Sequence, residues 1–173
     1  LSLSGMAELP ILFILGQRPG PSTGLPTHTS QTELNFALSA GQGEFVRFVV
    51  APGDAEEAYY WASVAMEMSW RYQVPAIILT DKHLGESAFN FDIGAAGDIK
   101  RSDPPMWDGK GPYKRYAFTE DGVSGLAFAP AKGAVIKVNS YEHDEAGKTT
   151  EEPEMTRMMQ EKRLRKEKAL EKG

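Results

Sequence analysis

The sequence contains no cysteine among its 173 residues. The chain can therefore form no disulfide, and it cannot ligate an iron–sulfur cluster through thiolates. A chain without cysteine is compatible with a reducing compartment, and we expect a cytoplasmic location.

Long apolar runs and an excess of basic residues are absent as well. The longest apolar runs have the length of a strand, whereas a membrane helix needs about 20 apolar residues. The first residues lack the basic region of a signal peptide. With a formal net charge of -5, the chain lacks the overall positive charge that is typical of nucleic-acid-binding proteins. We therefore expect neither a membrane span nor a nucleic-acid partner.

Short apolar runs are present, and they alternate with helical patterns. The runs at residues 11–15, 45–50 and 75–79 are typical of buried strands. Capping-box patterns at Ser30/Glu33 and Asp54/Glu57 predict two helices between them, the second reaching Tyr72. This order predicts an α/β fold of three layers, α/β/α, with a mainly parallel sheet covered on both faces.

The segment that follows the first run, residues 17–27, has the composition of a ligand-binding loop. It contains three prolines and two glycines, which prevent regular structure. Loops at the carboxyl ends of parallel strands are where α/β proteins bind ligands. The forked guanidinium of Arg18 suits a carboxylate or a phosphate. The alternative is an ordinary connection with a solvated or capping arginine. No lysine lies in the segment, so it is not a Walker loop.

The second half of the chain shows weaker patterns. Residues 89–132 carry turn chemistry and scattered aromatics, and residues 134–138 suggest one short strand. The acidic residues 142–145 favour a polar loop over a carboxylate metal site, because no second histidine or cysteine is near. Residues 150–173 are predicted to form a charged, solvated helix that docks by its first turns. We thus expect an α/β unit at 1–100, an irregular arm at 101–149 and a helix at 150–173.

The loop and several later pieces resemble a known family, the α subunits of 2-oxoacid:ferredoxin oxidoreductases. The resemblance spans most of the chain at matching order and spacing. The residues that carry it are Gln17-Arg18-x-Gly20-Pro21-Ser22-Thr23-Gly24-x-Pro26-Thr27, then Gln31, Gly43-Glu44-Phe45, Ala51-Pro52-Gly53, Tyr72-Gln73-Val74-Pro75, Thr80-Asp81, Leu84-Gly85-Glu86-Ser87, Asp121-Gly122-Val123, Glu142-His143-Asp144-Glu145 and Lys162-Arg163.

The resemblance implies a thiamine-diphosphate-binding fold and a set of substrate-binding residues. The chain looks like the C-terminal part of the pyrimidine-binding domain, with the N-terminal part of that domain missing. Arg18 matches the arginine that holds the substrate carboxylate, and Thr27 matches the threonine near the substrate side chain. Pro19 departs from the commoner glycine and is expected to stiffen the loop. Four further residues match the family loop that shapes the substrate pocket: Gln17, Ser22, Thr23 and Gly24.

The resemblance also implies cofactors and partners, most of them on other chains. Thiamine diphosphate and Mg²⁺ are expected mainly on a partner β subunit, and [4Fe–4S] clusters on partner chains. Coenzyme A is the implied co-substrate, and electrons leave to ferredoxin through the complex. The substrate is a small 2-oxoacid, for which we favour 2-oxoglutarate over pyruvate. This chain is expected to hold no catalytic residue and no metal, and to be inactive alone; homodimerisation is left open.

Two other functional hypotheses compete with the α-subunit hypothesis. One is a non-catalytic remnant or interaction module that keeps the fold without activity. The other is a small-anion-binding α/β protein unrelated to thiamine. A serine nucleophile at Ser22 is discounted, because His28 nearby has no acidic residue to orient it.

Overall fold

The computed structural model describes residues 1–94 and 103–172 of the chain. Helices and strands alternate in the first half, and an irregular segment connects them to one long final helix. In chain order the elements are α1 (Ser2–Met6), β1 (Leu12–Gln17), α2 (Leu34–Ser39), β2 (Phe48–Val50), α3 (Ala55–Tyr72), β3 (Ala76–Asp81), α4 (Lys82–Glu86) and α5 (Pro153–Leu170).

The three strands form a parallel sheet in the order β1-β3-β2. The central strand β3 is the most buried of the three, since its first four residues, 76–79, are all buried. In the pairing of β1 with β3, Leu12 lies opposite Ala76 and Gln17 opposite Asp81. The carboxyl ends of both strands therefore reach the same edge of the sheet, from which the loop after β1 departs.

Helices cover both faces of this sheet. On one face, Ala37 of α2 packs with Ile77 and Leu79 of β3. On the other face, Ala65 of α3 packs with Ala76 and Ile78. Alternating residues of β3 thus enter opposite apolar clusters, as the period of a strand requires. The predicted α/β/α architecture with a parallel sheet is confirmed.

The first strand is less buried than its sequence predicts. Its apolar run indicated a strand with both faces covered, but β1 lies at an edge of the sheet and Ile14 is 69% exposed. The prediction of full burial was therefore wrong, although the prediction of a strand was right. An apolar run specifies that a strand forms but not how many neighbours cover it.

One of the two predicted capping boxes forms, and the other does not. Asp54 caps α3 by accepting a hydrogen bond from the Glu57 backbone N–H at 2.8 Å. The Ser30/Glu33 box was wrong, because α2 begins only at Leu34 and has no side-chain cap. Residues 30–33 remain outside the helix, where backbone and side-chain contacts hold them to β1 and β3.

The irregular arm contains little regular structure in its described part. The strand predicted at residues 134–138 is absent there, and two isolated bridges, Met106 with Leu126 and His143 with Thr149, occur instead. The predicted boundary between residues 100 and 101 lies outside the described residues. Across the described ranges, no helix combines the length and apolarity needed to cross a membrane.

Helix α5 docks differently from the sequence-based prediction. It begins at Pro153, behind Glu152, whose carboxylate caps the Met155 N–H at 2.6 Å. Docking by the first turns alone was wrong, because the buried residues lie in its middle and late turns. They are Met159, Lys162, Arg163 and Lys166.

Two buried lysines of α5 share one buried carboxylate. The Lys162 Nζ donates to both oxygens of Glu8 at 2.8 Å, and the Lys166 Nζ lies 2.5 Å from the same carboxylate. Burial alone would raise the pKa of Glu8, but the two ammonium groups outweigh it and lower this pKa to about 2. At Lys166, burial lowers the pKa more than the Glu8 carboxylate raises it, and the pKa falls to about 8. The ion pairs join α5 to the segment between α1 and β1.

Backbone carbonyls and an arginine of the arm complete this network. The Arg115 guanidinium donates to the Glu8 carbonyl at 2.6 Å and to the Gln73 Oε1 at 2.7 Å. The Lys166 Nζ donates to the Gln73 carbonyl at 3.0 Å. Glu8 and Gln73 both have positive φ, 51° and 53°, which non-glycine residues seldom adopt. One cluster therefore joins the start of the chain, the end of α3, the arm and α5.

Replacing Glu8 by glutamine should strongly destabilise the fold. The variant would leave two buried ammonium groups without a counter-charge, and breaking a buried ion pair costs about 3–5 kcal/mol. Because the pKa of Glu8 is depressed, its contribution is present above its ordinary pKa of 4.5 and is lost as the pH falls towards about 2. Urea unfolding of the full-length protein between pH 2 and 7 measures both effects.

Glu161→Gln is the matched control for this experiment. It removes a carboxylate from the same helix, but Glu161 is exposed and pairs with the exposed Arg157. We expect little change in the free energy of unfolding from this variant. Equal losses in the two variants would contradict a special role of the buried network.

Candidate functional site

The predicted ligand-binding segment forms a folded loop at the carboxyl edge of the sheet. We call residues 17–33 the Arg18 loop. Its tip is closed by a backbone hydrogen bond from Leu25 N–H to the Pro19 carbonyl at 2.9 Å, followed by one from His28 N–H to the Leu25 carbonyl at 3.1 Å. The loop therefore has a defined backbone shape although it contains no helix or strand.

Arg18 lies exposed at the start of this loop and is held by its inner nitrogen. The Nε donates to the Thr23 carbonyl at 2.9 Å. Within the described residues, neither terminal amino group of Arg18 has a hydrogen-bond partner. The guanidinium is thus oriented by the protein while its two terminal amino groups can donate to a ligand. A planar carboxylate can accept both bonds.

The tip of the loop depends on a glycine at position 24. Gly24 has φ of +51°, and a Cβ built there would lie 1.8 Å from the Pro19 carbonyl oxygen. Ser22 also has a positive φ, 55°. The backbone at position 24 thus packs directly against the Pro19 carbonyl. Only glycine permits this close approach at position 24.

The remaining predicted site residues divide into exposed and inward-facing ones. Ser22, Thr23 and Thr27 are exposed, and the Thr27 hydroxyl lies 3.3 Å from the His28 Nδ1. Gln17 is only 5% exposed, and its Oε1 accepts a hydrogen bond from the Glu33 N–H at 3.3 Å. The Gln17 side chain therefore closes the base of the loop within this chain.

Sequence reasoning did not single out Asp81 as a residue of this site. Asp81 ends β3 opposite Gln17, and its two oxygens accept from the Leu84 N–H at 2.8 Å and from the Gln31 side chain. The backbone hydrogen bond of Leu84, followed by those of the Gln31 and Thr29 side chains, lowers the pKa of this carboxyl. Its place at the end of the central apolar run was the signal that could have revealed it.

The acidic stretch at 142–145 is engaged in structural contacts. Glu142 accepts two hydrogen bonds from Arg163, at 2.9 and 2.6 Å, and His143 Nδ1 lies 2.8 Å from the Tyr141 carbonyl. Burial lowers the pKa of His143. Within 1–94 and 103–172, no three histidine, aspartate or glutamate side chains are grouped to hold a metal ion.

Two cavities among the described residues lie away from the Arg18 loop. One of about 410 Å³ is lined by residues of α1, α5 and the Phe45 segment. Another, of about 320 Å³, is a mainly apolar groove between Ile11, Trp70 and Phe128. Neither contains a residue of the loop. We therefore base the candidate site on the free donors of Arg18 and not on cavity size.

A comparison with protein families gives a match over residues 1–162. The matching model is described as "Pyruvate flavodoxin/ferredoxin oxidoreductase, thiamine diP-bdg". The chain belongs to this family. Among relatives of this oxidoreductase family, the 2-oxoacid:ferredoxin oxidoreductase 2 subunit alpha of Aeropyrum pernix is 38% identical over 177 residues. The alignment covers 99% of this chain and 27% of that relative.

Other members of the oxidoreductase family agree with this result. The 2-oxoacid:ferredoxin oxidoreductase subunit alpha of Saccharolobus solfataricus is 40% identical, over 94% of this chain and 26% of its own length. The chain thus spans about a quarter of the length of these relatives. The resemblance of its motifs to the α subunits of 2-oxoacid:ferredoxin oxidoreductases is confirmed.

A solved structure from this oxidoreductase family matches the fold closely. It is the 2-oxoglutarate:ferredoxin oxidoreductase from Magnetococcus marinus with 2-oxoglutarate, coenzyme A and succinyl-CoA bound. The TM-score is 0.91 at 32% identity, over 99% of this chain and 30% of the other. The α/β architecture described above is therefore a fold that the family uses.

Replacing Gly24 by alanine should open the tip of the Arg18 loop. The added Cβ would overlap the Pro19 carbonyl, and the left-handed backbone would cost a further 1–2 kcal/mol, about tenfold in an opening equilibrium. We expect the Leu25 amide to exchange its hydrogen at least that much faster, because its bond to the Pro19 carbonyl is lost. Hydrogen exchange followed by mass spectrometry or NMR measures this.

Gly16→Ala provides the control for the Gly24 substitution. Gly16 lies in β1, and a Cβ there would meet nothing within 4 Å. Its substitution should leave the exchange of the Leu25 amide unchanged. Unchanged exchange in Gly24→Ala would show that the loop tip is not held as described.

Proposed function

We propose that this chain contributes the substrate-carboxylate-binding loop of a 2-oxoacid:ferredoxin oxidoreductase. In this proposal the chain is part of the α subunit. The reaction is a thiamine-dependent oxidative decarboxylation that forms an acyl-CoA, at a site shared with a β subunit. Electrons pass to ferredoxin through the complex. The family membership and the α-subunit names of the relatives support this assignment.

One observation carries the substrate-binding role. The Arg18 guanidinium is fixed through its Nε at the carboxyl edge of the sheet, and its terminal amino groups face no partner within the described residues. A 2-oxoacid presents a planar carboxylate that can accept both terminal groups. The proposed role of Arg18 is therefore to bind and orient the carboxylate of the substrate.

We assign 2-oxoglutarate as the substrate. The names of two similar proteins support this proposal. One is the 2-oxoglutarate oxidoreductase subunit KorA of Mycobacterium tuberculosis, 36% identical over 66% of this chain and 18% of its own length. The structural neighbour is named for the same acid. The exposed hydroxyl of Thr27 can donate or accept a hydrogen bond near a polar substrate side chain. Gln17, Ser22, Thr23 and Gly24 are proposed to shape the pocket around it.

We propose that the cofactors of the reaction are held mainly by partner chains. The Asp81 carboxylate, which accepts a hydrogen bond from the loop, uses both oxygens within the chain and is not free to activate a thiamine ring. The described residues form no acidic group for Mg²⁺, and the sequence has no cysteine for a [4Fe–4S] cluster. The chain alone is accordingly expected to be inactive.

Replacing Arg18 by lysine should weaken the binding of every 2-oxoacid. One point charge would replace a two-pronged contact, and a charge-assisted hydrogen bond is worth about 1.5–3 kcal/mol. We expect KM for 2-oxoglutarate and for pyruvate to rise by about ten- to a hundredfold. Steady-state kinetics of the full enzyme with its β subunit measure this.

The alternative of a non-catalytic module is tested by the same preparation. An enzyme that folds normally and shows an unchanged KM in Arg18→Lys would refute the carboxylate role. An assembled complex without any 2-oxoacid turnover would favour the remnant that keeps only the fold and a docking surface.

Replacing Thr27 by alanine should change the preference among 2-oxoacids. The lost hydroxyl should lower kcat/KM for 2-oxoglutarate more than for pyruvate, by the worth of one hydrogen bond, about 0.5–1.5 kcal/mol. A methyl group gains nothing from this hydroxyl. The measurement compares kcat/KM for both acids together with the melting temperature.

Thr27→Ser serves as the control, since it keeps the hydroxyl. It should retain the preference for 2-oxoglutarate. Thr27 does not cap α2, which begins at Leu34 without a side-chain cap. Equal losses for both acids in Thr27→Ala, with a lower melting temperature, would mean that Thr27 is structural.

A further inference from the structure

We propose that Asp81 and Gln31 form a clamp that positions the Arg18 loop for the substrate carboxylate. The hydrogen bond between their side chains joins the returning part of the loop to the end of the central strand. Both are then positioning residues of the reaction, acting through Arg18. This inference rests on the proposed function and adds residues to which that function gives no role.

Besides the Thr29 side chain, which also bonds Asp81, the base of the loop has two attachment points. At the first, Gln17 Oε1 accepts a hydrogen bond from the Glu33 N–H at 3.3 Å. At the second, Asp81 accepts a hydrogen bond from Gln31. Gln17 and Asp81 are register partners on the adjacent strands β1 and β3. The loop therefore leaves the sheet at Gln17 and returns to the neighbouring strand at the same level.

The Asp81 carboxylate is a rigid anchor. It ends β3, which lies between the other two strands, and its Oδ1 caps α4 by accepting from the Leu84 N–H at 2.8 Å. The cap occupies Oδ1 and leaves Oδ2 for Gln31. The contact to Gln31 is thus not needed for capping, and its effect falls on the loop. Gln31 itself is exposed, so little apolar burial holds it in place.

The clamp also accounts for the late start of α2. Ser30 and Glu33 have the sequence of a capping box, yet both residues stay outside the helix. The side chain of Gln31 and the backbone N–H of Glu33 are instead bonded to β3 and β1. A helix started at residue 31 would have to give up these two contacts. These contacts keep residues 31–33 outside the helix and attached to the sheet, and with them the placement of the loop tip.

Exchanging the amide and the carboxylate of the two residues tests the clamp in the full enzyme. Gln31→Glu places two carboxylates against each other and should push the loop away from β3. We expect KM for the 2-oxoacid to rise by about tenfold, with a smaller change in kcat, because a charge-assisted bond becomes a repulsion. KM for coenzyme A should not change.

Adding Asp81→Asn to Gln31→Glu should restore the clamp with reversed polarity. The new amide can donate to the new carboxylate, and asparagine is as good a helix cap as aspartate, so α4 stays capped. We expect the double variant to return KM to within about threefold of wild type, the remainder allowing for imperfect geometry. Asp81→Asn alone should have a small effect, because the Gln31 amide can turn over and accept.

Two further variants make the outcomes distinct. Gln42→Glu adds the same charge at an exposed glutamine outside the loop and should leave KM unchanged. Arg18→Lys reports on the proposed function. If Arg18→Lys raises KM and Gln31→Glu does not, the clamp is refuted and the function stands. If neither raises KM, the function fails and the clamp with it.

Failure of the rescue would also overturn the proposal. A KM that stays high in the double variant would mean that Gln31 acts without Asp81. A loss confined to the melting temperature, with KM unchanged, would make the contact structural only. A KM restored by Asp81→Asn, at an unchanged melting temperature, supports the clamp.

Discussion

The carboxylate of Glu8, buried between two lysine ammonium groups, is the interaction on which the assembled fold depends. One of its partners, Lys162, lies 154 positions further along the chain, and Arg115 reaches the same place from the irregular arm. A buried charge without its partners would cost several kcal/mol, so these elements must dock together or not at all. The cluster thereby fixes where α5 and the arm lie relative to the sheet, together with an apolar cluster in which Tyr72, Val74 and Val123 pack against Ala169 and Leu170.

Close packing around α5 shows the same dependence. Gly122 has φ of +82°, and a Cβ there would lie 2.2 Å from the Lys162 carbonyl oxygen, so the turn before Val123 rests directly on the helix. Several of the shorter family-like pieces, such as Gln73, Glu142 and Lys162-Arg163, fall in these contacts. Those pieces of sequence therefore maintain the docking of elements, whereas the long loop motif presents exposed polar side chains.

Sequence patterns predicted the strands, α3 and the Arg18 loop, because each depends on local chemistry: an apolar run, an Asp54 cap, clustered proline and glycine. They failed where distant contacts decide. Lysines late in α5 look like a solvated face, and nothing in the local pattern shows that a carboxylate far along the chain neutralises them. The Ser30/Glu33 capping box does not form, because Gln31 and Glu33 are bonded to two strands instead. Ile14 has the sequence of a covered residue, but exposure depends on neighbours that its own run does not specify.

The tip of the loop separates backbone shape from side-chain chemistry. Backbone hydrogen bonds and the absence of a Cβ at Gly24 fix its path. Within the described part of the chain, the side chains of Ser22, Thr23 and Thr27 form no hydrogen bond to another element. Such an arrangement lets selection exchange the projecting groups one by one at little cost to folding. Under the proposed function, changes at these three positions would alter substrate preference, so a directed-evolution experiment should randomise them and keep the glycine and the prolines.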